Sequence, residues 1–497
     1  MIQICPNNLI KPMSQQVYNS LTRQKEELQT LEPGQIKMYV CGVTVYDFCH
    51  LGHARAYVVW DMVRRYLQSR NYQVRYVQNI TDIDDKILKR AQQEGVTMQE
   101  ISDRYIATYN EDMARLNIMP ADEYPRATES IEAIIDLIKA LEAQDYAYAA
   151  GGDVYYAVQK FPTYGKLSGR KLADMQAGAS GRVAVGEELK RYPFDFALWK
   201  AAKPGEPFWQ SPWGEGRPGW HIECSAMVRS RLGDQIDIHA GGADLQFPHH
   251  ENEIAQSEGA THQPLARYWL HNGFVNIDGE KMSKSLGNFT TIRELLKHYD
   301  PMAIRLFILQ SHYRQPIDFT EEAINAATRG WETIRDGLLF KHDFGDQLGW
   351  DRLAVALDQL DQNLLDRFHG AMDDDFNTSI AISLLFELAK PLKAEANKLV
   401  HSGKSDLASA VLAQTWQTLS YLSDVLGFIA DPEARSNANH SNDSATVSDD
   451  QIETMVQQRC AARKAKDFAA SDRLRDQLKE LGITLIDQPD GTTRWHR

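Results

Sequence analysis

The stretch from Lys37 to Ile80 constrains the fold of this chain more than any other. Lys37 to Val40 is a short strand-forming run, and Leu51 to Arg70 carries an apolar stripe at Val59, Met62, Val63, Tyr66 and Leu67, the spacing of a helix. Val74 to Ile80 alternates toward a second strand. Strand, helix and strand in that order imply a crossover between two parallel strands. Open parallel sheets take ligands beyond the carboxyl ends of their strands, so Cys41 to His50 marks the expected cleft. No G-x-G-x-x-G occurs there, which disfavours a dinucleotide fold.

A second cluster continues this pattern. Gln235 to His239 reads as a strand, Gly241-Gly242 as a turn and about Pro248 to Gln256 as a helix. Between the clusters, Asn117 to Gly219 contains a strand-like run, Val154 to Val158, and a Pro/Trp/Gly-rich stretch from Pro204 to Trp220, the marks of an inserted subdomain. After Asp318 amphipathic helices follow one another through Trp331 to Leu339, Leu353 to Phe368, Thr378 to Leu399 and Leu407 to Leu426, a helical bundle. Asp431 to Asp450 has the polar composition of a flexible linker. An end module comprises helical Gln451 to Leu481 and a hairpin, Ile483 to Ile486 with Thr492 to Trp495, around Pro489-Asp490-Gly491.

At 497 residues the chain is too long for one core. The expected divisions are a catalytic first half over 1–116, the insert over 117–219, a catalytic second half over 220–318, the bundle over 319–430, the linker over 431–450 and the end module over 451–497. With 43% hydrophobic and 25% charged residues it has the composition of a soluble globular protein. No stretch approaches a membrane span, and Met1 to Ser20 lacks a signal peptide's apolar core, so no membrane partner and a cytoplasmic location are expected. Five cysteines scattered through such a length suit a reducing compartment and leave thiolates free for metal. A formal charge of −14 argues against indiscriminate nucleic-acid binding, while a local basic face still permits a specific RNA contact.

Two short phrases carry nucleotide chemistry. His50 and His53 frame Gly52 at a helix start, where free N–H groups and the helix dipole favour an anion and the glycine admits a nucleobase. Lys281 and Lys284 sit on a loop between Asp278-Gly279 and Gly287-Asn288, where ammonium groups can follow the charge of a leaving phosphate tail. A metal set is also present by ligand type. His249 and Glu253 are four residues apart on one helix face, with Cys224 and Cys41 supplied by other elements. His250 and Glu251 qualify by type, but their spacing turns them elsewhere. Of the clustered tryptophans Trp199, Trp209, Trp213 and Trp220, the last adjoins His221 and Cys224 and is placed near a small-molecule pocket. Basic residues from Arg459 to Arg497, with Trp495 as a stacking face, make the tail an RNA-contact candidate.

Together these phrases resemble class I aminoacyl-tRNA synthetases, whose signatures read HIGH and KMSKS; Leu51 replaces the Ile of the first, a volume-conserving change. The runs Met38 to Asp47, Asn79 to Lys86, Gly219 to Met227 and Phe247 to Glu253 narrow the resemblance to the cysteinyl-tRNA synthetase family over nearly the whole chain. The resemblance implies an α/β chain with a Rossmann-like parallel-sheet catalytic domain, an inserted subdomain, an α-helical bundle and a small C-terminal module. It implies activation of L-cysteine by ATP to cysteinyl-adenylate, then transfer to the 3′-terminal ribose of tRNA(Cys), with magnesium accompanying the ATP and a monomeric enzyme. It implies one zinc per chain on Cys41, Cys224, His249 and Glu253, bound directly to the substrate sulfur; ATP served by His50, Gly52, His53, Lys281 and Lys284, of which the two histidines and two lysines are catalytic; and a cysteine pocket of Gly42, Thr81, Trp220 and Asp244. Two rivals remain at this stage. One is a ligase that passes activated cysteine to an aminosugar in mycothiol synthesis, and the other is a non-catalytic zinc-dependent RNA-binding protein.

Overall fold

The computed structural model describes residues 14–172, 189–281, 289–350, 353–433, 449–465, 467–480, 483–487 and 493–496. An antiparallel hairpin, β1 (Gln16–Asn19) and β2 (Gln24–Glu27), precedes β3 (Gln35–Thr44), α1 (Leu51–Ser69) and β4 (Gln73–Thr81). Helices α2 (Asp85–Glu94), α3 (Met98–Arg115) and α4 (Ile131–Ala143) follow. Next come β5 (Ala147–Ala150), β6 (Asp153–Tyr156), β7 (Phe196–Ala201) and β8 (Gly216–Pro218). The chain then forms α5 (Trp220–Leu232), β9 (Ile236–Gly242), α6 (Glu251–Thr261) and β10 (Ala266–Asn272). Short strands β11 (Val275–Ile277) and β12 (Glu280–Lys281), helices α7 (Ile292–Leu295) and α8 (Pro301–Leu309), and β13 (Ile317–Phe319) lead to the helical region.

The central sheet runs β10-β9-β3-β4, all parallel. β3 and β4 are buried along most of their length, because helices cover the sheet; this is why neither alternates cleanly in sequence. β3 ends in an irregularity. Its register on β4 shifts between Val40 and Val43, lifting Cys41 and Gly42 out of the ladder. The Gly42 N–H donates instead to the Asn79 side-chain oxygen at 2.8 Å.

Strand β4 is an edge of this sheet, and its amides find partners beyond the expected insert boundary at 117. Gln78 N–H donates to Glu123 O at 3.1 Å and Ile80 N–H to Pro125 O at 2.9 Å. The chain therefore stays on the catalytic sheet to about Ala127, whose N–H returns to Ile80 O at 3.2 Å. The insert itself carries an antiparallel sheet ordered β5-β6-β7-β8, and β8 delivers the chain through Gly219 to Trp220 at the start of α5. The expected strand Val154 to Val158 stops at Tyr156, and a single 3-10 turn begins at Val158.

Beyond β13 the chain forms α9 (Glu321–Leu338), α10 (Phe340–Leu348), α11 (Gln362–Met372), α12 (Thr378–Ser402) and α13 (Ser409–Val425). The expected helix from Leu353 starts only at Gln362, where the Asp361 side chain accepts from Leu364 N–H and caps the first turn. α12 runs through Pro391 without ending. The bundle is tied to the catalytic sheet through Arg305 of α8, fully buried, which donates to the Asp61 carboxylate of α1, to Leu116 O at 3.1 Å and to Leu426 O at 2.8 Å. Gly427 makes room for it, with φ +74 and an added Cβ only 2.1 Å from Arg305 Nη2. Residues 1–429 form one compact unit.

Residues 430–497 form a second unit. The expected single helix from Gln451 is two, α14 (Asp449–Lys464) and α15 (Phe468–Glu480), with the Asp467 side chain accepting from Ala470 N–H at the restart. β14 (Thr484–Asp487) and β15 (Thr493–His496) pair antiparallel, and Ile452, Val456, Leu478 and Ile483 make the core. Trp495 is half-buried, packs against that core and donates its indole N–H to Glu453 at 2.9 Å, so part of the expected stacking face is used by the module itself. Most of the linker and the turn at Pro489 to Gly491 lie outside the described residues. Among the described residues no helix is long and apolar enough to cross a membrane.

Candidate metal centre and nucleotide cavity

The carboxyl ends of β3, β9 and β10 and the start of α1 enclose a cavity of about 390 Å³. Its rim includes His50 and His53, which cap one another. The His50 ring accepts from His53 N–H, the His53 ring accepts from His50 N–H, and the two rings stack at 3.7 Å. This reciprocal cap is a histidine version of the capping box, and it sets both rings beside Gly52 on the cavity rim. The returning arm of the second signature is stitched to the same place. His50 and Thr291 form an antiparallel bridge, Leu51 N–H donates to Thr290 O at 3.3 Å, and Ile292 N–H donates to Cys49 O at 2.9 Å. Lys281 ends β12, while Lys284 and the side chain of Lys281 lie outside the described residues.

Cys41, Cys224, His249 and Glu253 are buried, and their ligand atoms all lie within 4.8 Å of one another. Cys41 comes from the irregular end of β3, Cys224 from α5, Glu253 from α6 and His249 from the turn before it. His249 Nε2 is 3.1 Å from Glu253 Oε1, and the Cys41 thiol donates to the same oxygen at 3.5 Å. A tetrahedral zinc with arms near 2.0–2.3 Å holds its donors roughly 3.3–3.8 Å apart, so this cluster is of the right size and donor chemistry for the ion. The electrostatics agree. Burial pushes the Cys41 thiol well up, whereas the hydrogen bond from Cys41 brings Cys224 down to about 6 despite its burial. Burial works against charge on His249 and Glu253, yet each holds the other charged: His249 rises to about 10, and His239 with His249 keeps Glu253 well below the carboxylate range.

His250 does not face elsewhere. Phe247 is extended at φ −142, ψ 130, so the regular helix begins at Glu251 rather than at about Pro248, and His250, in helical conformation three residues ahead of Glu253, turns toward the same buried side as His249. His250 Nε2 lies 3.3 Å from Cys41 Sγ, and Cys41, His239, His250 and Glu253 form a second, overlapping donor set. Sequence reasoning missed His239 as well, whose Nε2 is 2.9 Å from Glu253 Oε2. Its signal was available: a histidine inside a strand buried on both faces needs a polar partner. His271 continues the array, bonded to His250 at 2.8 Å and to Ser20 at 2.8 Å, and burial holds it neutral with a pKa near 3.

Gly42, Trp220 and Asp244 line the cavity with Cys41. Trp220 stacks on His249 at 4.4 Å and is 39% exposed, an aromatic flap over the metal set. Trp199 is buried and packs near Trp213, as expected of structural tryptophans. Thr81 is buried behind the wall. Its hydroxyl donates to Glu223 at 3.2 Å and accepts from Asn79, the residue that also holds Gly42. Lys86 reaches the rim with its ammonium 5.3 Å from the Tyr46 ring centre, a cavity residue that sequence reasoning did not single out.

Comparison with known proteins bears on this site. Residues 27–329 match the family of tRNA synthetases class I (C) catalytic domains, 367–430 match the DALR domain, and 448–495 match the cysteinyl-tRNA ligase anticodon binding domain. A cysteine–tRNA ligase of Gloeothece citriformis is 60% identical over 489 residues, covering 98% of this chain and all of that protein. One from Synechococcus elongatus is 60% identical over 488 residues with the same coverage. In fold the chain is similar to a Mycobacterium tuberculosis methionyl-tRNA synthetase solved with methionyl-adenylate, with TM-score 0.55, 16% identity, and 79% of this chain and 90% of that one covered. A putative arginyl-tRNA synthetase from Campylobacter jejuni gives TM-score 0.53 at 12% identity, over 80% and 94%.

Proposed function

Because the chain belongs to the cysteine–tRNA ligase family of class I aminoacyl-tRNA synthetases and is a cysteine–tRNA ligase, we propose how its cavity divides that work. Cys41, Cys224, His249 and Glu253 hold one zinc ion, supported by the four converging buried donors, the single observation that carries this reading. Zinc there supplies a soft Lewis-acid contact that favours a thiolate over serine's hydroxyl, so discrimination exceeds the about 1–3 kcal/mol of a methylene-sized difference. Gly42, Trp220 and Asp244 line the cysteine pocket, with Trp220 excluding water from above, and Thr81 supports it from behind through Asn79 and Glu223.

His50, Gly52 and His53 take the ATP phosphates at the capped start of α1, and Lys281 and Lys284 neutralise the departing pyrophosphate, with magnesium on the ATP. The cysteine carboxylate attacks the α-phosphorus, and pyrophosphate leaves. A ribose hydroxyl of the tRNA then attacks the acyl carbon, and AMP leaves. His50 and His53 act as donors to developing phosphate charge and form no covalent bond.

The partner is tRNA(Cys), supported by the anticodon-binding match over 448–495. An aminosugar acceptor or a purely binding role has no use for the combination of that module with the ATP site, and neither rival is favoured. A cytoplasmic monomer completes the proposal. The test is cysteine-dependent exchange of label between pyrophosphate and ATP, followed by charging of total tRNA. Absence of exchange by zinc-loaded protein refutes the enzymatic assignment, and exchange without charging refutes the acceptor.

A further inference from the structure

We propose that the exposed face of α2 carrying Lys86 and Lys89, with the neighbouring ring of Phe48, receives the unpaired 3′ end of the tRNA as it enters the cavity. The inference rests on the tRNA reading of the chain and names the surface along which that end arrives. Lys86 and Lys89 are exposed and three residues apart on α2, so their stems rise from one face of the helix. The acids around them are already engaged. Asp85 pairs with Lys200 of β7 and Arg217 of β8, Glu94 pairs with Arg90 and Arg104, and Asp84 accepts from Lys86 N–H at the helix cap. Asp47 accepts from Phe48 N–H at 2.9 Å. Neither lysine forms an ion pair among the described residues. In a chain of formal charge −14, two uncompensated ammonium groups on one helix face mark a place for an anionic partner.

The form of the surface identifies that partner as a single strand of RNA. Lys86 lines the cavity with its ammonium 5.3 Å from the Tyr46 ring centre, whereas Lys89 lies one turn farther along α2 and outside the lining. The positive track thus continues past the space that holds ATP, which suits successive phosphates of a strand better than one nucleotide. Phe48 lines the same cavity, is 41% exposed and stands edge-on to Tyr105 with ring centres 5.5 Å apart. Arg90 of α2 donates to the Tyr105 hydroxyl at 3.0 Å, which ties this ring pair to the helix that bears the lysines. An exposed ring beside cations is the surface that single strands use, with phosphates on the charges and a base on the ring. The terminal ribose must enter a cavity of about 390 Å³ for the acyl group to transfer, and an unpaired end is narrow enough to do so. Lys86, Lys89 and Phe48 are therefore positioning residues for the second step, with no part in bond making.

The experiment uses the zinc-loaded full chain with two forms of tRNA(Cys), intact and trimmed of its unpaired 3′ nucleotides. The unmodified protein is expected to bind the intact form more tightly. Replacing both lysines, Lys86→Ala with Lys89→Ala, should flatten the slope of log Kd against log salt for intact tRNA by about 1.4, at about 0.7 for each phosphate contact on a single strand. Lys86→Arg with Lys89→Arg keeps the charges and should keep the parent's slope. Phe48→Ala should weaken intact tRNA about tenfold, whereas Phe48→Tyr, which keeps the ring, should weaken it by less than about twofold. The alanine variants should leave the trimmed form and cysteine-dependent pyrophosphate exchange within about twofold of the parent. Equal binding of the two tRNA forms by the unmodified protein overturns the inference without any variant. So does an alanine variant that loses the same factor with both forms, which marks a structural role or a contact elsewhere on the tRNA. A raised KM for ATP in exchange also overturns it, because the lysines would then serve the nucleotide. Exchange by the unmodified protein with no charging of intact tRNA would instead overturn the tRNA reading on which the inference rests.

Discussion

Replacing Gly42 with alanine should show how tightly the end of β3 is built. An added Cβ falls 1.6 Å from the carbonyl oxygen of Asn79 and 2.7 Å from its carbon, both backbone atoms of the neighbouring strand, so no side-chain rotation relieves the clash. The strands must part locally by more than an ångström, which overpacking data put at about 1–3 kcal/mol. Parting them also breaks or stretches the Gly42 N–H bond to Asn79 Oδ1, another about 1–3 kcal/mol in a buried setting. Stiffening the unfolded chain returns about 0.4–1 kcal/mol. The net cost is about 2–5 kcal/mol, which for a unit of this size lowers the midpoint by about 2–5 °C. Because Cys41 is the preceding residue, the displacement should also reduce bound zinc and raise the KM for cysteine. Calorimetry and elemental analysis of the purified variant check both. A midpoint within about a degree of the parent's, with full zinc, would refute the close-packing argument.

Further outcomes are expected. Cys224→Ser should lower zinc to well under one per chain, as a neutral hydroxyl is a poor zinc ligand, and elemental analysis showing full zinc would sink the ligand assignment. Lys284→Ala should cut kcat in pyrophosphate exchange by roughly 10²–10³ with little change in the KM for cysteine; an unchanged kcat contradicts a role on the leaving phosphates. Deleting 431–497, almost the whole second unit, should leave exchange intact, raise the KM for tRNA and flatten the salt dependence of tRNA binding. Loss of exchange would show that the module supports the catalytic unit. Asp112 carries a buried carboxyl with neither oxygen in hydrogen-bond geometry, although Arg293 Nε lies 3.0 Å away. Burial pushes its pKa up to about 6, against the pull of Arg293. A raised carboxyl contributes stability below its unfolded value that is lost as pH climbs through about 6, so relative to Asp112→Asn the parent should weaken between about pH 4 and about pH 7. Urea midpoints for the pair at the two pH values that track each other would contradict this.

The crossover of β3, α1 and β4 was legible because α1 keeps the helical period over many residues between two strand-forming runs, and the i,i+4 pair His249 and Glu253 was legible by the same helical spacing. Elsewhere the pattern misled. His250 was set aside as one residue off the His249 face, but three residues ahead of Glu253 it is also that residue's helical neighbour. Leu353 to Leu360 looked helical by composition, yet the Asp361 cap starts α11 later. His239 belongs to a strand buried on both faces, where alternation gives no sign of which residue points at a ligand. The insert boundary was invisible because it depends on the unpaired amides of β4, a property of the assembled sheet.

The Arg305 cluster has a consequence for how this protein comes apart. One guanidinium serves an acid of α1, carbonyls that follow α3 and the carbonyl at the end of α13, so removing Asp61 strands a buried cation, a defect of about 3–5 kcal/mol, and removing a carbonyl leaves a buried N–H without its acceptor, about 1–3 kcal/mol. A chain ended at 318 would lose Leu426 and leave Arg305 facing water in the middle of the catalytic half. The bundle therefore cannot be shed as an independent piece. Partial digestion should give a resistant fragment ending near Ile429, with the bundle and catalytic sheet melting in a single transition.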